Sequence, residues 1–393
     1  MAHTIFDVVV IGAGPAGMLA AGTSSAKGMK TALLEKNDIP GKKLRLTGGG
    51  RCNVTTLVSQ DDFLKAFGHD GQFLRQAINA FGPEELKLFL SEIGVETYRQ
   101  GDQLFVHGGG RKLVDSLVKY LHHQGVRIFF NERAAHVRQN IEDNSLEILT
   151  QTGKYIAKQK LIITTGGKTY PLTGSEGDGL KIAEELGLKI QPTIPAMGAI
   201  ALSDNIFIGL SGISLDSVSI EVFLDGKRNG KFRGGLVITH NGLSGPSSLN
   251  ASLAIARGRQ KTHSARIRLD FFPDENERNI DLLDRLPQRL REMLLKRAGV
   301  DTKVKSFQLT RLQRRAVQEM LTGIDLEVAN TGTFENAMVT VGGVSLKEID
   351  PRTMESRRVK NVYFAGEILD LAGACGGFNI QAAFSTGYLA GIS

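Results

Sequence analysis

The chemistry in this chain is concentrated in glycine-rich segments, the first of them near the N-terminus. Gly12-Ala13-Gly14-Pro15-Ala16-Gly17 lies between an apolar β-branched run, Phe6 to Ile11, and a small-residue helical stretch, Pro15 to Lys27. Glu35 ends the next apolar run, 21 residues after Gly14. With this spacing Gly12 permits a tight turn, Gly14 lets a pyrophosphate approach the backbone, and Gly17 lets helix pack on strand. The helix N-terminus behind Pro15 and Ala16 stabilises phosphate charge. Glu35 is placed to accept hydrogen bonds from an adenosine ribose. A glycine fingerprint alone is weak, and an accidental turn is the bland alternative; strand, helix and carboxylate in register weigh against it.

The far end of the chain separates NAD from FAD. Val362-Tyr363-Phe364-Ala365-Gly366-Glu367 reads as a buried strand ending in glycine and a carboxylate, a device for holding a ribityl chain. Gly373-Ala374-Cys375-Gly376-Gly377-Phe378-Asn379-Ile380-Gln381 then leads into an Ala-rich helix whose positive end suits the pyrimidine edge of an isoalloxazine. A nicotinamide dehydrogenase has no use for this second glycine site, so FAD is expected. A helix packed closely on a sheet would explain one of these glycines but not the series. Gly41 to Asn53 adds Gly48, Gly49 and Gly50 flanked by Thr47 and Arg51, a poor core and a good anion- or ring-hugging loop. Thr164-Thr165-Gly166-Gly167 ends a strand where backbone can pass close to a cofactor; beyond Gly167 a plain linker is equally expected.

At these motifs the sequence resembles the BaiN/RdsA (YhiN-like) family of NAD(P)/FAD-dependent flavoproteins. The shared features are the N-terminal fingerprint, the G-K-K-x-x-x-T-G-G-G-R-C-N loop at Gly41–Asn53, the T-H-x-G-L-S-G-P turn at Thr239–Pro246, and A-G-E-x-x-D…G-G-F-N-x-Q at Ala365–Gln381. The resemblance spans nearly the full length. It implies a Rossmann-like two-dinucleotide-binding-domain FAD fold of the α/β class, distantly similar to fumarate reductase flavoproteins, with an inserted β-barrel plus helical domain. It places Glu35, Lys36, Lys43, Arg51, Cys52, Asn53, Gly366, Glu367, Asn379, Ile380 and Gln381 near FAD. With Gly49, Gly50, Ala135, Thr165, Gly166, Gly167, Gly377 and Phe378, these complete the expected cofactor set. One segment departs: where the family commonly writes F-P-x-S-x-K-A, this chain has Phe105-Val106-His107-Gly108-Gly109-Gly110-Arg111.

The elements that must position these residues follow from periodicity. Phe6–Ile11, the Pro15–Lys27 helix and Thr31–Glu35 spell β-α-β, the start of a doubly wound sheet. Helical patterns at Gln72–Ala80, Pro83–Ile93 and Arg111–Gln124 precede short strands at Val126–Phe130, Ala134–Val137, Ser145–Thr150 and Lys160–Thr164, a β-meander returning to the parallel sheet. From about Thr193 alternating strands at Ala199–Leu202, Val218–Leu224, Leu236–Thr239 and Ala265–Phe271 predict a small antiparallel barrel, followed by a charged helical stretch from Asp281 to Gly323. The expected domains are residues 1–192 and 337–393 for FAD binding, interrupted by an insert at 193–336.

Composition bounds the rest. Of 393 residues 46 are glycine, well above the roughly 7 percent of average proteins. Two cysteines exclude a disulfide framework and a four-thiolate metal site, and predict a reducing cytoplasm. No run approaches the ~20 apolar residues of a membrane helix. No His/Cys/carboxylate spacing predicts a metal site. Cys52 and Cys375 invite a redox-pair reading, but without C-x-x-C spacing small packing residues are expected. His240, on a turn opening a helix, and Tyr170 are the proton-donor candidates; a structural histidine capping the turn is an equal alternative. Between Arg285 and Arg315 ten basic residues face two acids, an excess that accounts for the whole chain's net charge of +7. A solvated helix face is its usual meaning. The resemblance implies another, structured RNA, because reduction of a uridine in ribosomal RNA is among the family's activities. The expected function is an FAD-dependent oxidoreductase passing a hydride from NAD(P)H, bound transiently because no second fingerprint exists, through flavin to a conjugated C=C acceptor. An amine oxidase of the aminoacetone type using oxygen, and an RNA-binding flavoenzyme, are the alternatives.

Overall fold

The computed structural model describes residues 4–140, 142–259, 262–275, 280–302, 304 and 308–393. The chain forms two compact units, Met1–Ile194 with Val339–Ser393, and Pro195–Met338.

The first unit opens with β1 (Thr4–Ile11), α1 (Pro15–Ala26) and β2 (Thr31–Leu34). There follow α2 (Lys42–Leu46), β3 (Asn53–Thr56), α3 (Gln60–Lys65), α4 (Arg75–Ala80), α5 (Pro83–Glu92), β4 (Thr97–Gln100), β5 (Gln103–Val106) and α6 (Gly109–His123). Then come β6 (Arg127–Phe129), β7 (Ala134–Gln139), β8 (Leu146–Thr150), β9 (Lys154–Ile163), α7 (Asp178–Glu185) and β10 (Ile190–Ala196). The main sheet runs β6-β2-β1-β9-β8-β7. Its β1, β2, β6 and β9 are parallel, whereas β7, β8 and β9 form the antiparallel meander. Buried Val8, Val9, Val10, Leu33, Leu161 and Ile162 fill its centre, as a parallel sheet covered on both faces requires.

The strand expected at Lys160–Thr164 is only the second half of β9. The first half alternates in burial and pairs with β8, and the second is continuously buried between two parallel neighbours. The antiparallel β3-β5-β4 sheet has no periodic signal in the sequence, because three four-residue strands with polar ends carry no sustained period. Residues Gly41–Asn53 are not all loop: α2 and a 3-10 turn at Thr47–Gly50 lie inside the segment.

The second unit contains β11 (Ala201–Leu202), β12 (Ser214–Leu224), β13 (Lys227–Thr239), β14 (Gly242–Ser244), α8 (Pro246–Arg259), β15 (Ala265–Asp270), α9 (Gln288–Arg297), α10 (Arg311–Thr322) and β16 (Ile324–Asn330). Its strands are ordered β11-β16-β15-β12-β13-β14. An antiparallel bridge between Ile200 and Leu243 joins the two ends, so the sheet is a nearly closed barrel, and closure removes the exposed edges. Ile220, Val222, Leu236, Ile267 and Leu269 fill its interior. β16 lies beyond the expected helical stretch; its alternation of buried Ile324, Leu326 and Val328 with exposed Asp325 and Glu327 is the signal that could have found it. Lys303 and Lys305 of the basic stretch lie outside the described residues.

The chain returns to the first unit with β17 (Val339–Val344), β18 (Val362–Phe364) and α11 (Phe378–Ile392). β18 joins the main sheet parallel to β9, with Val362 opposite Leu161. α11 packs along α1 so closely that a Cβ on Gly387 would stand 2.2 Å from the Ala16 carbonyl oxygen.

Candidate cofactor site

The turn after β1 is built by glycine and a threonine from the neighbouring strand. Gly12 has φ 100, and a Cβ there would lie 2.7 Å from the Thr164 carbonyl oxygen; at Gly17 it would lie 1.9 Å from the Gly12 carbonyl oxygen. The Thr164 hydroxyl donates to the carbonyls of Ile11 and Gly12. Gly14 differs: nothing lies within 4 Å of a Cβ placed there. It is the N-cap of α1, which starts at Pro15 with no side-chain cap and no acidic residue in its first turn. The start of α1 therefore borders open space at Gly14, the arrangement that receives a pyrophosphate.

Glu35 is buried. Its carboxylate accepts from Ala13 N–H at 2.9 Å, and from the Asn37 N–H and amide nitrogen at 2.9 and 2.7 Å. A carboxylate offers about four lone-pair sites, so one remains for a ribose hydroxyl. Lys36 is held by carboxylates, Glu176 at 2.7 Å and Asp178 at 2.8 Å, with Arg133 reaching Asp178 at 2.6 Å. Burial pushes the Asp178 carboxyl up, but hydrogen bonds from Lys36 and Arg133 outweigh it and hold the group below its ordinary value. Ala135 is exposed at the irregularity where β7 pairs with β8.

A second cluster joins four distant segments. Lys43 Nζ donates to Thr169 Oγ1 and to Glu367 Oε2, both at 2.7 Å. The other Glu367 oxygen accepts from Thr340 N–H at 3.0 Å and from the Thr169 hydroxyl at 3.3 Å. Gly366, at φ 79, donates its N–H to the Thr386 hydroxyl on α11. Spacing alone does not single out Thr169 or Thr340 as site residues. Thr169 continues the Thr164–Gly167 motif and was within reach; Thr340 gives no local signal.

The N-terminus of α11 begins at Gly377, φ 92, without a side-chain cap. A Cβ on Gly377 would stand 2.7 Å from Asn53 Oδ1 and 2.7 Å from the Thr55 backbone. Asn53 Oδ1, Thr55 Oγ1 and Thr165 Oγ1 are buried without a hydrogen-bond partner. Buried polar atoms are ordinarily satisfied, so these await a ligand or water with polar edges. Asn379 shapes this segment: its side chain accepts from Gly373 N–H at 2.7 Å and donates to the Gly373 carbonyl at 2.9 Å. Gln381 is fully buried, donating to the Phe81 carbonyl and Ser385 Oγ. Phe378 and Ile380 are half-buried against the core, with Phe378 5.2 Å from Phe63. Gly166 takes φ 75, and a Cβ on Gly167 would strike the Thr340 side chain at 2.3 Å.

These residues fit FAD. An uncapped helix start faces open space at Gly14, a buried carboxylate has acceptor capacity left, and the orphaned Asn53 Oδ1 lies against a glycine-floored second helix start. Cys52 is buried at φ 55, and burial pushes its thiol up to about 12; burial also raises Cys375. Both stay protonated at neutral pH. Tyr170 is half-buried in a left-handed conformation, φ 57, ahead of Pro171. His240 corrects an expectation. It is exposed in a two-residue turn between β13 and β14, and the helix opens only at Pro246.

Comparison with known proteins agrees in fold and family. The chain is 29% identical over 395 residues to the ribosomal RNA dihydrouridine synthase of Escherichia coli (strain K12), covering 98% of this chain and 96% of that protein. It is 28% identical over 408 residues to the 3-dehydro-bile acid delta(4,6)-reductase of Clostridium scindens, covering 97% of each. Among solved structures, an open-conformation flavocytochrome c3 fumarate reductase aligns with a TM-score of 0.52 at 18% identity, over 99% of this chain and 78% of that one. The 3-ketosteroid-delta4-(5alpha)-dehydrogenase of Rhodococcus jostii RHA1 aligns with a TM-score of 0.51 at 15% identity, over 99% and 96%. Fold and family together support an FAD-dependent oxidoreductase. Residues 6–393 match the HI0933-like protein Rossmann domain family, and the chain belongs to it.

Proposed function

We propose that the protein is an FAD-dependent oxidoreductase that draws on NAD(P)H and saturates a conjugated C=C bond in a small acceptor. The observation that carries this reading is the convergence of Asn53, Thr55 and Gly377 on a buried, unsatisfied polar surface beside an uncapped helix start. Bound FAD would supply the transfer of a hydride from donor to acceptor. The chain's own residues bind and orient: the α1 N-terminus and Glu35 hold the adenosine diphosphate, and Lys43, Thr169 and Thr340 fix Glu367 at the ribityl position. The α11 N-terminus stabilises negative charge at the pyrimidine edge. Tyr170 is the proposed proton donor.

Anaerobic mixing of the purified yellow protein with NADH, NADPH or aminoacetone, followed by flavin absorbance, tests the reading. Bleaching by a nicotinamide is the expected outcome; bleaching by the amine alone would replace the reductase with an amine oxidase. A second reading, reduction of uridine in ribosomal RNA, is favoured by the name of the Escherichia coli relative and by the Arg285–Arg315 stretch. Both relatives' names describe a saturated C=C product, so this reading changes the acceptor and keeps the chemistry.

A further inference from the structure

The cations of the cofactor segments are almost all neutralised. Lys36 meets Glu176 and Asp178, Lys42 meets Asp38, Lys43 meets Glu367, and Arg45 meets Asp115. Arg51 is the exception among the described residues: it has no carboxylate partner there, it is exposed, and its guanidinium faces a ring, Phe105, at 5.7 Å. Phe105 stacks on Tyr98 with centroids 5.5 Å apart and planes 20° apart, and Tyr98 meets His107 at 4.6 Å. This ladder stands on the β3-β5-β4 sheet, where Phe105 pairs with both Asn53 and Tyr98. It therefore shares a strand register with the orphaned Asn53 side chain.

The neighbouring backbone is clear on one side and closely packed on the other. A Cβ on Gly49 or Gly50 would meet nothing within 4 Å. The start of α6 fixes the loop from behind, because a Cβ on Gly109 would lie 1.7 Å from the Gly50 carbonyl oxygen. Gly109 thus packs directly on Gly50 and Gly110 on Leu44, where bulkier residues could not. An unneutralised guanidinium over an aromatic ring is pre-organised for a planar anion, since cation–π contact holds the group while its N–H fork stays available. Stacked aromatic edges beside it suit a flat conjugated skeleton.

We infer that Arg51 is the anchor for a carboxylate or phosphate carried on a flat, conjugated ligand, and that the half-buried Tyr98, backed by the buried Phe105, forms the wall against which that ligand lies. This rests on the proposed flavin site beside it, and narrows the acceptor class to conjugated anions. It also assigns Arg51 to the ligand rather than to the cofactor.

Isothermal titration of the oxidised holoenzyme with trans-cinnamate, trans-cinnamamide, uridine 5′-monophosphate and inorganic phosphate tests it, in wild type, Arg51→Gln, Arg51→Lys and Tyr98→Leu, with flavin content measured in each. Arg51→Gln should keep its flavin and bind cinnamate or the nucleotide on the order of ten-fold more weakly, as expected for one charge-assisted bidentate contact. Arg51→Lys should recover part of that loss. Tyr98→Leu should weaken the conjugated anions and leave inorganic phosphate unchanged. Whichever conjugated anion binds identifies the source, carboxylate or phosphate. Equal binding of cinnamate and cinnamamide, unchanged binding in Arg51→Gln, or loss of flavin from that variant would each overturn the inference. Arg51-dependent binding without bleaching by NAD(P)H would sink the reductase reading and leave this one standing.

Discussion

Lys160 is 5% exposed, yet its Nζ donates to the carbonyls of Ala390 and Gly391 at the end of α11 and lies 4.8 Å from the Tyr363 ring. A cation at a helix C-terminus is favourable, but burial, aided by Lys27, pulls its pKa from 10.5 to about 8. The unfolded chain then binds more protons than the folded one between those values, so this lysine's contribution grows as pH rises from about 8 to 10.5 and is lost as pH falls through 8. In thermal melts the stability of wild type relative to Lys160→Met should increase across that window; a flat difference would refute the assignment. Two glycines separate folding from binding in the same way. Gly17→Ala forces a Cβ to 1.9 Å from the Gly12 carbonyl and should cost about 1–3 kcal/mol of stability in urea unfolding. Gly14→Ala enters open space at φ −81, so the apoprotein should lose under about 1 kcal/mol while flavin affinity falls. Equal stability losses in the two variants would contradict the pyrophosphate approach at Gly14.

Among the elements, the start of α6 packs closely on the turn that ends at Gly50. Gly109 has φ 68 and no room for a Cβ against Gly50. Gly109→Ala should therefore cost about 3 kcal/mol through strain and displacement, and should lower retained flavin in the purified protein. Unchanged melting and unchanged flavin content would show that the loop tolerates separation. In this chain side chains at 109 and 110 would strike the Gly50 and Leu44 carbonyls. The sequence displayed both glycine runs but gave no sign that one packs on the other, because close backbone approach between segments some sixty residues apart has no local signature.

For the whole molecule, the basic stretch of the second unit is less free than its composition implies. Arg285 is paired with Glu275, Arg291 with Asp284 at 2.7 Å and Arg315 with Glu319 at 3.2 Å, while Arg289 donates to the Gly209 carbonyl. Exposed pairs of this kind are worth little and are screened by salt. Replacing Arg289, Arg297 and Arg311 with Gln should leave flavin bleaching by small donors within about two-fold, since no charged partner of the cofactor is removed. If ribosomal RNA is the acceptor, filter retention of RNA by wild type should fall with added salt and be lost in the triple variant. Retention indifferent to both would set the RNA reading aside. Among the described residues no helix is long and apolar enough to cross a membrane.

Residue order alone determined the β-α-β start, the FAD-type placement of glycines and carboxylates, and an antiparallel barrel in the middle of the chain. Each is written in local periodicity or in the steric privilege of glycine, which acts over a few residues. Tertiary structure decided what lies opposite each motif. Thr169 and Thr340 became partners of Glu367, Lys36 was committed to Glu176 and Asp178, and Arg51 was left facing Phe105. β9 was lengthened to serve three strand neighbours, β1, β8 and β18, and His240 moved to a hairpin tip. Hydrogen bonds between segments hundreds of residues apart depend on how sheets and helices pack, and no spacing along one chain encodes that directly.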